Sequence, residues 1–287
     1  HEEADGVEEC RKAVRKLVKE GADFIKIMGS GGGTYVTDNR RPSFDVEELK
    51  AIVNETHRHG KSCTVHCIAT KSIENALDAG VDCIEHYEFV EFDYKRRLDP
   101  RIGERMIEQS VYLSPTIQTG YRKLEQMRQL AEERPLTQAE IDQLSFYEWK
   151  QEGQVYITGK LYEMGGTKFL MGTDAIAEFG DYGIGLKLMV DGGLSNEAAL
   201  FAATRNTAEA LGIMEKAGTL EVGKDADITV VDGNPMKDIE DVQKVTQVIK
   251  SGFPLPMEGL GLFPHGPGGA VVTTRSLPKN PQVIKNP

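Results

Sequence analysis

Apolar strand-like runs alternate with helical stretches over residues 7–211, and this alternation constrains the fold more than any other feature. The strand-like runs recur every ~20 to 40 residues, and a helix with one apolar stripe lies between most of them. This order is typical of a parallel sheet with helical crossovers. The predicted strands are residues 23–28, 62–66, 81–86, 111–116 and 167–174. The sequence therefore predicts an α/β protein.

Helical periodicity and stop signals predict the connecting helices. They cover residues 7–20, 45–59, 70–78, 100–109, 122–133, 137–149, 152–164 and 195–211. Residues 117–150 interrupt the regular alternation with charged helical sequence, which indicates either a lid or substrate wall, or a solvated helical hairpin. The aromatic residues Phe146, Tyr147 and Trp149 in this insertion either accept an apolar or aryl group or pack in a helical core.

The character of the sequence changes after Gly212. Residues 217–232 predict two short strands in a hairpin around Gly223, and residues 242–251 predict one more strand. Residues 253–287 hold seven of the twelve prolines, which predicts an extended or disordered tail. We therefore divide the chain into residues 1–212, 213–252 and 253–287.

Composition excludes several classes of protein. The formal net charge of −11 argues against nucleic-acid binding, which needs a basic face. The sequence shows neither a membrane-span pattern nor a signal-peptide pattern, so we expect a soluble, cytoplasmic protein. The four cysteines are too few for a disulfide scaffold and are expected to be reduced core residues. Cys63 and Cys67 flank His66, but this spacing without a second pair is weak support for a zinc knuckle.

The first predicted strand carries one charged residue, Lys26, inside an apolar run. Strand side chains alternate, so Lys26 shares a face with Phe24 and Met28, opposite Ile25 and Ile27. If helices cover the isoleucine face, Lys26 points into a lumen, where desolvation favours a neutral amine. A neutral amine can take up carbon dioxide as a carbamate that bridges two metal ions. The alternative is a lysine that ends an ordinary strand and reaches water.

Potential metal ligands lie at the ends of four predicted strands. These residues are Lys26, His66, His86 and Asp174. In a (β/α)8 barrel the carboxyl ends of the strands carry the active site, so these side chains are predicted to converge. Two imidazoles, an amine and a carboxylate on successive strands favour a metal site over isolated structural residues. His57 and His59 lie at a helix end and are not counted as ligands.

Short motifs at these positions resemble a known family. They are Phe24-Ile25-Lys26, Val65-His66, Ile84-Glu85-His86, Pro115-Thr116, Gly172-Thr173-Asp174 and Asn206-Thr207-Ala208, with Gly223-Lys224-Asp225-Ala226-Asp227 downstream. Together they resemble the metal-dependent amidohydrolase superfamily, in the branch of imidazolonepropionase-like enzymes and Xaa-Pro or Xaa-Arg dipeptidases. The resemblance covers about residues 4–252. It implies a (β/α)8 TIM barrel, of which residues 1–212 supply about five strands, with residues 213–252 in a composite β-sandwich.

The resemblance also implies roles for the strand-end residues. Lys26 would be the carboxylated lysine that bridges two divalent ions, His66 and His86 would hold one ion, and Asp174 would bind the other and act as general base. Zinc is the expected ion, with manganese or cobalt as alternatives. The implied reaction is hydrolysis of a C–N bond in an amide, dipeptide, urea or carbamate by a metal-activated hydroxide. Alternatives are a mononuclear deaminase or cyclic-amide hydrolase, and a catalytically silent scaffold.

The site is expected to accept a small molecule. Tyr87, Tyr121 and the loop 29–33 are candidate substrate walls. A His-x-His pair at a strand end, which the family pattern requires, is missing from this sequence. Five strands cannot close an eight-stranded barrel. We therefore expect a missing N-terminal segment to carry that pair and to be needed for stable folding, and we also expect a homo-oligomer.

Overall fold

A computed structural model of the chain describes residues 2–32, 37–174, 182–257 and 285. A four-stranded parallel sheet lies at its centre, and its strands follow the order of the sequence. The strands are β1 (Ile25–Met28), β2 (Cys63–Ala69), β3 (Cys83–Val90) and β4 (Tyr112–Ser114). The predicted α/β class and parallel sheet are confirmed.

The helix before each of these strands packs on one face of this sheet. These helices are α1 (Val7–Lys19), α2 (Val46–Arg58), α3 (Thr70–Ala79) and α4 (Pro100–Glu108). Ile25 and Ile27 of β1 are each 4% exposed and join the core that these helices build. Burial of such apolar side chains is the main favourable term in folding. The isoleucine face of β1 meets the helices, which is the condition under which we expected Lys26 to point into a lumen.

The fifth predicted strand, residues 167–174, is only partly formed. Phe169 makes a single parallel bridge to Leu113 of β4. The amide of Met171 then donates to Ala202, 2.9 Å away, so the backbone turns from the sheet towards a helix. The predicted position beside β4 is correct, and the predicted length is wrong. Within the described ranges the sheet is open, and barrel closure stays a prediction.

The insertion forms two helices, α5 (Tyr121–Glu133) and α6 (Gln138–Glu163). We predicted a break near residue 150, but α6 is one helix of 26 residues. Gly153 does not end it, because this glycine makes room for a neighbouring side chain. A Cβ at Gly153 would lie 2.5 Å from Cδ of Arg96.

Three shorter helices follow, α7 (Tyr182–Asp191), α8 (Asn196–Ala203) and α9 (Arg205–Ala210). We predicted a single helix over residues 195–211, and this is wrong. Thr204 has φ −130° and ψ −88°, outside the helical region. Its hydroxyl donates to the carbonyl of Leu200 at 2.7 Å, and such local bonding of a threonine competes with helix geometry.

An antiparallel sheet of three strands lies downstream, built from β5 (Ile228–Val231), β6 (Val245–Lys250) and β7 (Phe253–Pro254). The predicted hairpin around Gly223 is wrong, since β5 pairs with β6 instead. Leu220 is 78% exposed, so the segment before Gly223 has no apolar face to bury. Of the predicted tail, residues 258–284 and 286–287 lie outside the described residues. Among the described helices, none has the length and apolar character needed to span a bilayer.

Candidate metal centre

Two histidines meet on neighbouring parallel strands. His66 of β2 and His86 of β3 have ring centroids 4.5 Å apart, with the rings at 69° to each other. The strand register pairs His66 with Glu85, so His86 lies one residue further along the sheet. The structure thus brings together two of the four predicted ligands.

A threonine from the next strand fixes the orientation of His86. Nδ1 of His86 lies 2.7 Å from Oγ1 of Thr116, just beyond the end of β4. This contact leaves Nε2 of His86 as the ring nitrogen free to bind a ligand. His86 has φ +67° and Thr116 has φ +44°, so both lie in the left-handed region that favours glycine.

Both imidazoles are held in the neutral form. Burial lowers the pKa of His66, and the charge of Lys26 adds to this effect while that of Asp174 opposes it. Burial also lowers the pKa of His86 to about 2, reinforced by His66, Lys26 and Lys150. A neutral imidazole is the form that binds metal ions.

Lys26 lies on the same side of the sheet as the histidines, as predicted. Its Nζ is 3.6 Å from Oε1 of Glu85, and its side chain is 41% exposed. Phe24 and Met28 on the same face are 47% and 49% exposed, so little protein covers this edge of the described sheet. The dry surroundings predicted for Lys26 are therefore not found.

Asp174 is exposed and has φ +44° at the end of a described range. Its carboxylate affects the pKa of His66 but is not gathered with the histidines into a compact group. Within the described residues, one group of three His, Cys, Asp or Glu side chains has its ligand atoms within 4.8 Å of one another, and it consists of His57, Cys63 and Asp82.

That compact group lies at the opposite end of the sheet, where β2 and β3 begin. Oδ2 of Asp82 is 2.8 Å from Nε2 of His57, and it accepts the backbone N–H of Cys63 at 2.8 Å. These hydrogen bonds tie the end of α2 to the start of β2. A zinc knuckle with His66 is wrong, because Cys63 and Cys67 face the helix-covered core and His66 faces the other side.

The predicted substrate walls separate in the structure. Tyr87 is fully buried, and its hydroxyl lies 3.2 Å from Oγ1 of Thr158 in α6, so it packs between the sheet and that helix. Tyr121 borders a groove of about 850 Å³ between α5, α6 and α7. None of the four predicted ligands lines this groove. Of the insertion's aromatic residues, Trp149 packs on Ile68 and Val90, which is core packing.

Sequence reasoning assigned no role to two residues around the histidines, Glu85 and Gln154. Glu85 pairs with Lys26 and accepts the hydroxyl of Thr64 at 2.9 Å. Gln154 of α6 donates to the backbone carbonyls of His86 and Pro115. The sequence signal for Glu85 is its adjacency to His86. No local signal points to Gln154, because the contacts made by α6 depend on how the helix docks.

A parallel α/β sheet with two histidines near the carboxyl ends of its strands is typical of TIM-barrel-type enzymes. The model of the amidohydrolase family matches residues 2–254. The chain belongs to the amidohydrolase family, and the predicted resemblance is confirmed.

Characterised relatives and solved structures agree with this membership. Ochratoxinase from Aspergillus niger is 30% identical in an alignment of 268 residues that covers 90% of this chain and 51% of that protein. A crystal structure of a Xaa-Pro dipeptidase with bound methionine gives a TM-score of 0.73 at 32% identity, over 88% of this chain and 59% of that one. The structure of A. niger ochratoxinase gives 0.71 at 28% identity, over 90% and 56%. The chain thus spans about half the length of the curated relatives it matches.

Proposed function

We propose that this chain carries part of the site of a metal-dependent hydrolase that cleaves a C–N bond in an amide, dipeptide, urea or carbamate. The single observation that carries the proposal is the pair His66 and His86, two neutral imidazoles with ring centroids 4.5 Å apart on adjacent parallel strands. Ochratoxinase and Xaa-Pro dipeptidase, by their names hydrolases, are among the proteins to which this chain is similar.

The donor set suits a divalent ion. His66 and His86 offer imidazole nitrogens in the neutral form, and Thr116 holds His86 so that Nε2 is available. Imidazole and carboxylate ligands suit zinc, and also manganese or cobalt. A bound divalent ion supplies a Lewis acid that polarises a carbonyl and lowers the pKa of water.

Asp174 is the proposed general base. Its carboxylate is exposed and its charge reaches His66, so it can accept a proton from the attacking water and return it to the leaving nitrogen. An exposed, acceptor-only carboxylate is suited to this role, because a substrate and a water can both approach it. Thr116 and Gln154 keep His86 in place during these transfers.

Two candidate functions differ in whether Lys26 carries a carbamate or a free amine. A carbamate on Lys26 would bridge two ions, as in the primary proposal. The ion pair of Lys26 with Glu85 at 3.6 Å favours the second candidate, a mononuclear deaminase or cyclic-amide hydrolase with a free amine, since a carbamate and Glu85 would repel each other. Bicarbonate dependence of metal content distinguishes them.

We further propose that sequence outside residues 1–287 completes the site. The chain spans about half of its curated relatives, and β1 is an edge strand whose outer side has no partner strand among the described residues. Such an edge pairs readily with another strand. The remaining ligands, including a His-x-His pair, would come from that side.

The test uses the full-length protein and measures its metal content with and without bicarbonate. We expect His86→Asn to lower zinc content and Asp174→Asn to abolish hydrolysis of N-acyl amino acids, dipeptides and aryl ureas while the fold is kept. His57→Asn is the matched control, because His57 lies at the other end of the sheet. Zinc lost from His57→Asn but retained by His86→Asn would refute the proposed location.

A further inference from the structure

Helix α6 crosses the carboxyl ends of three strands of the sheet. Trp149 packs on the ends of β2 and β3. Gln151 donates to the carbonyl of Ile117, just after β4, at 2.9 Å. Gln154 donates to the carbonyl of Pro115 at 3.2 Å and to that of His86. Residues 149–154 therefore lie directly beside the two histidines.

Lys150 lies on the strand-facing side of this stretch. It precedes Gln154 by one helical turn, and residues four apart share a helix face. The carbonyl of Lys150 also accepts a hydrogen bond at 2.8 Å from Arg96, a buried residue that follows β3. This hydrogen bond fixes the backbone from which the side chain of Lys150 starts.

Two carboxylates near the histidines form their ion pairs with cations other than Lys150. The buried carboxylate of Glu88, two residues after His86 in β3, is paired with Arg96. Glu85 is paired with Lys26. Among the described residues Lys150 forms no ion pair, although it is only partly exposed. Removing an ammonium from water without a partner costs free energy, so this position is unfavourable for a purely structural lysine.

Electrostatics agree with this placement. Burial lowers the pKa of Lys150, and Arg96 adds to the effect, while Glu88 and Asp174 oppose it. The charge of Lys150 in turn acts on His86. The contacts of Trp149, Gln151 and Gln154 place this stretch of α6 beside the histidines, and the effect of Lys150 on His86 agrees with that position.

We propose that Lys150 binds an anionic carboxylate of the substrate and so selects N-acyl amino acids or dipeptides with a free carboxyl group over neutral ureas and carbamates. This inference rests on the proposed hydrolase function and deepens it. A single ammonium matches a singly charged carboxylate, and a charge-assisted hydrogen bond is stronger than a neutral one. Lys150 is a specificity residue, and bond cleavage does not need it.

The first test compares two substrates that share one amide, N-acetyl-L-phenylalanine and N-acetylphenethylamine, which lacks the carboxylate. In the full-length, metal-loaded protein we expect Lys150→Met to lower kcat/KM for the first by roughly 10- to 100-fold, mainly through KM. The neutral substrate should change less than about threefold. Lys150→Arg should retain part of the preference. Lys160→Met on the same helix, where Lys160 pairs with Glu163 at the surface, should leave both unchanged.

The second test measures binding without turnover. Isothermal titration with 3-phenylpropionate and with 3-phenylpropan-1-ol should show a preference for the carboxylate that Lys150→Met removes. Turnover of both amides with an unaltered preference in Lys150→Met, or an equal loss on both, would overturn the role of Lys150 and leave the hydrolase intact. Lys150-dependent carboxylate binding without turnover of any amide would retain the inference and overturn the proposed function.

Discussion

At the scale of single residues, the site depends on how His86 is held. Its Nδ1 contacts the hydroxyl of Thr116 at 2.7 Å, and its backbone carbonyl is bonded by Gln154. Partners of this kind orient a ligand and set its basicity. His86 therefore needs both strand β4 and helix α6 to be in place.

Replacing the threonine should weaken metal binding without unfolding the protein. We expect Thr116→Val to reduce zinc affinity by roughly 10- to 100-fold, because the ring of His86 loses its orientation. Competition with a chelator measures this change. The control is Thr56→Val, in which a buried hydroxyl bonded to Ile52 at 2.8 Å is lost far from the site. Equal zinc affinities in both variants would contradict the role of Thr116.

Sequence patterns could identify the strand-end residues but not their partners. Lys26, His66 and His86 were found because strand alternation and strand ends are visible in the sequence. The pairing of Lys26 with Glu85 joins β1 to β3 across β2, and the contact of Gln154 with His86 joins residues 68 apart. Such contacts depend on strand register and helix docking, which the local pattern does not specify.

At the scale of elements, a buried ion pair fastens α6 to the strand β3. Arg96 is fully buried, pairs with Glu88 of β3, and stacks on Trp149 of α6 with Cζ 4.4 Å from the ring centroid. It also donates to the carbonyl of Lys150. Removing either charge would leave the other buried without a partner.

Loss of this arginine should therefore be strongly destabilising. We expect Arg96→Met to lower the free energy of unfolding by about 3 to 5 kcal/mol, measured by urea denaturation. Arg101→Met is the control, because Arg101 is 86% exposed and pairs with Asp99 at the surface. The control should change the free energy by less than about 1 kcal/mol. Similar losses in both variants would show that the burial of Arg96 has no special effect.

The first turn of α6 should be sensitive to acid. Hydrogen bonds from Arg134 and Thr137 lower the pKa of Glu140 to about 2, from 4.5. Because the folded pKa is the lower one, the stabilisation is present above about pH 4.5 and is lost as the pH falls towards about 2. A carboxyl titration by NMR should give the lowered pKa. The stability advantage over Glu140→Gln should shrink across this range, and a constant difference would contradict the pairing.

The predicted helix boundaries were wrong where a side chain or a glycine takes part in packing or in a local hydrogen bond. We predicted a break near residue 150, but α6 is continuous there and Gly153 makes room for Arg96. Thr204 was read as part of a helix, but it breaks the segment between α8 and α9. In both cases local propensity was overridden by packing or by a local hydrogen bond, which periodicity cannot reveal.

At the scale of the whole molecule, the four cysteines are all free and buried. Burial raises the pKa of Cys63, Cys67 and Cys83 to about 12. We expect the native protein to resist iodoacetamide at about pH 8, since the thiolate is the reactive form. All four should react after unfolding in urea, as counted by mass spectrometry. Rapid labelling of the native protein would show that the core opens readily.

The left-handed backbone at His86, Thr116 and Asp174, with φ between 44° and 67°, limits the thermal stability of the protein. Each such residue costs on the order of 1 to 3 kcal/mol relative to a relaxed backbone. A protein selected only for thermal stability would have glycine at these positions. We therefore expect laboratory evolution for heat tolerance to select glycine at these positions. Such variants would gain stability and lose catalytic activity.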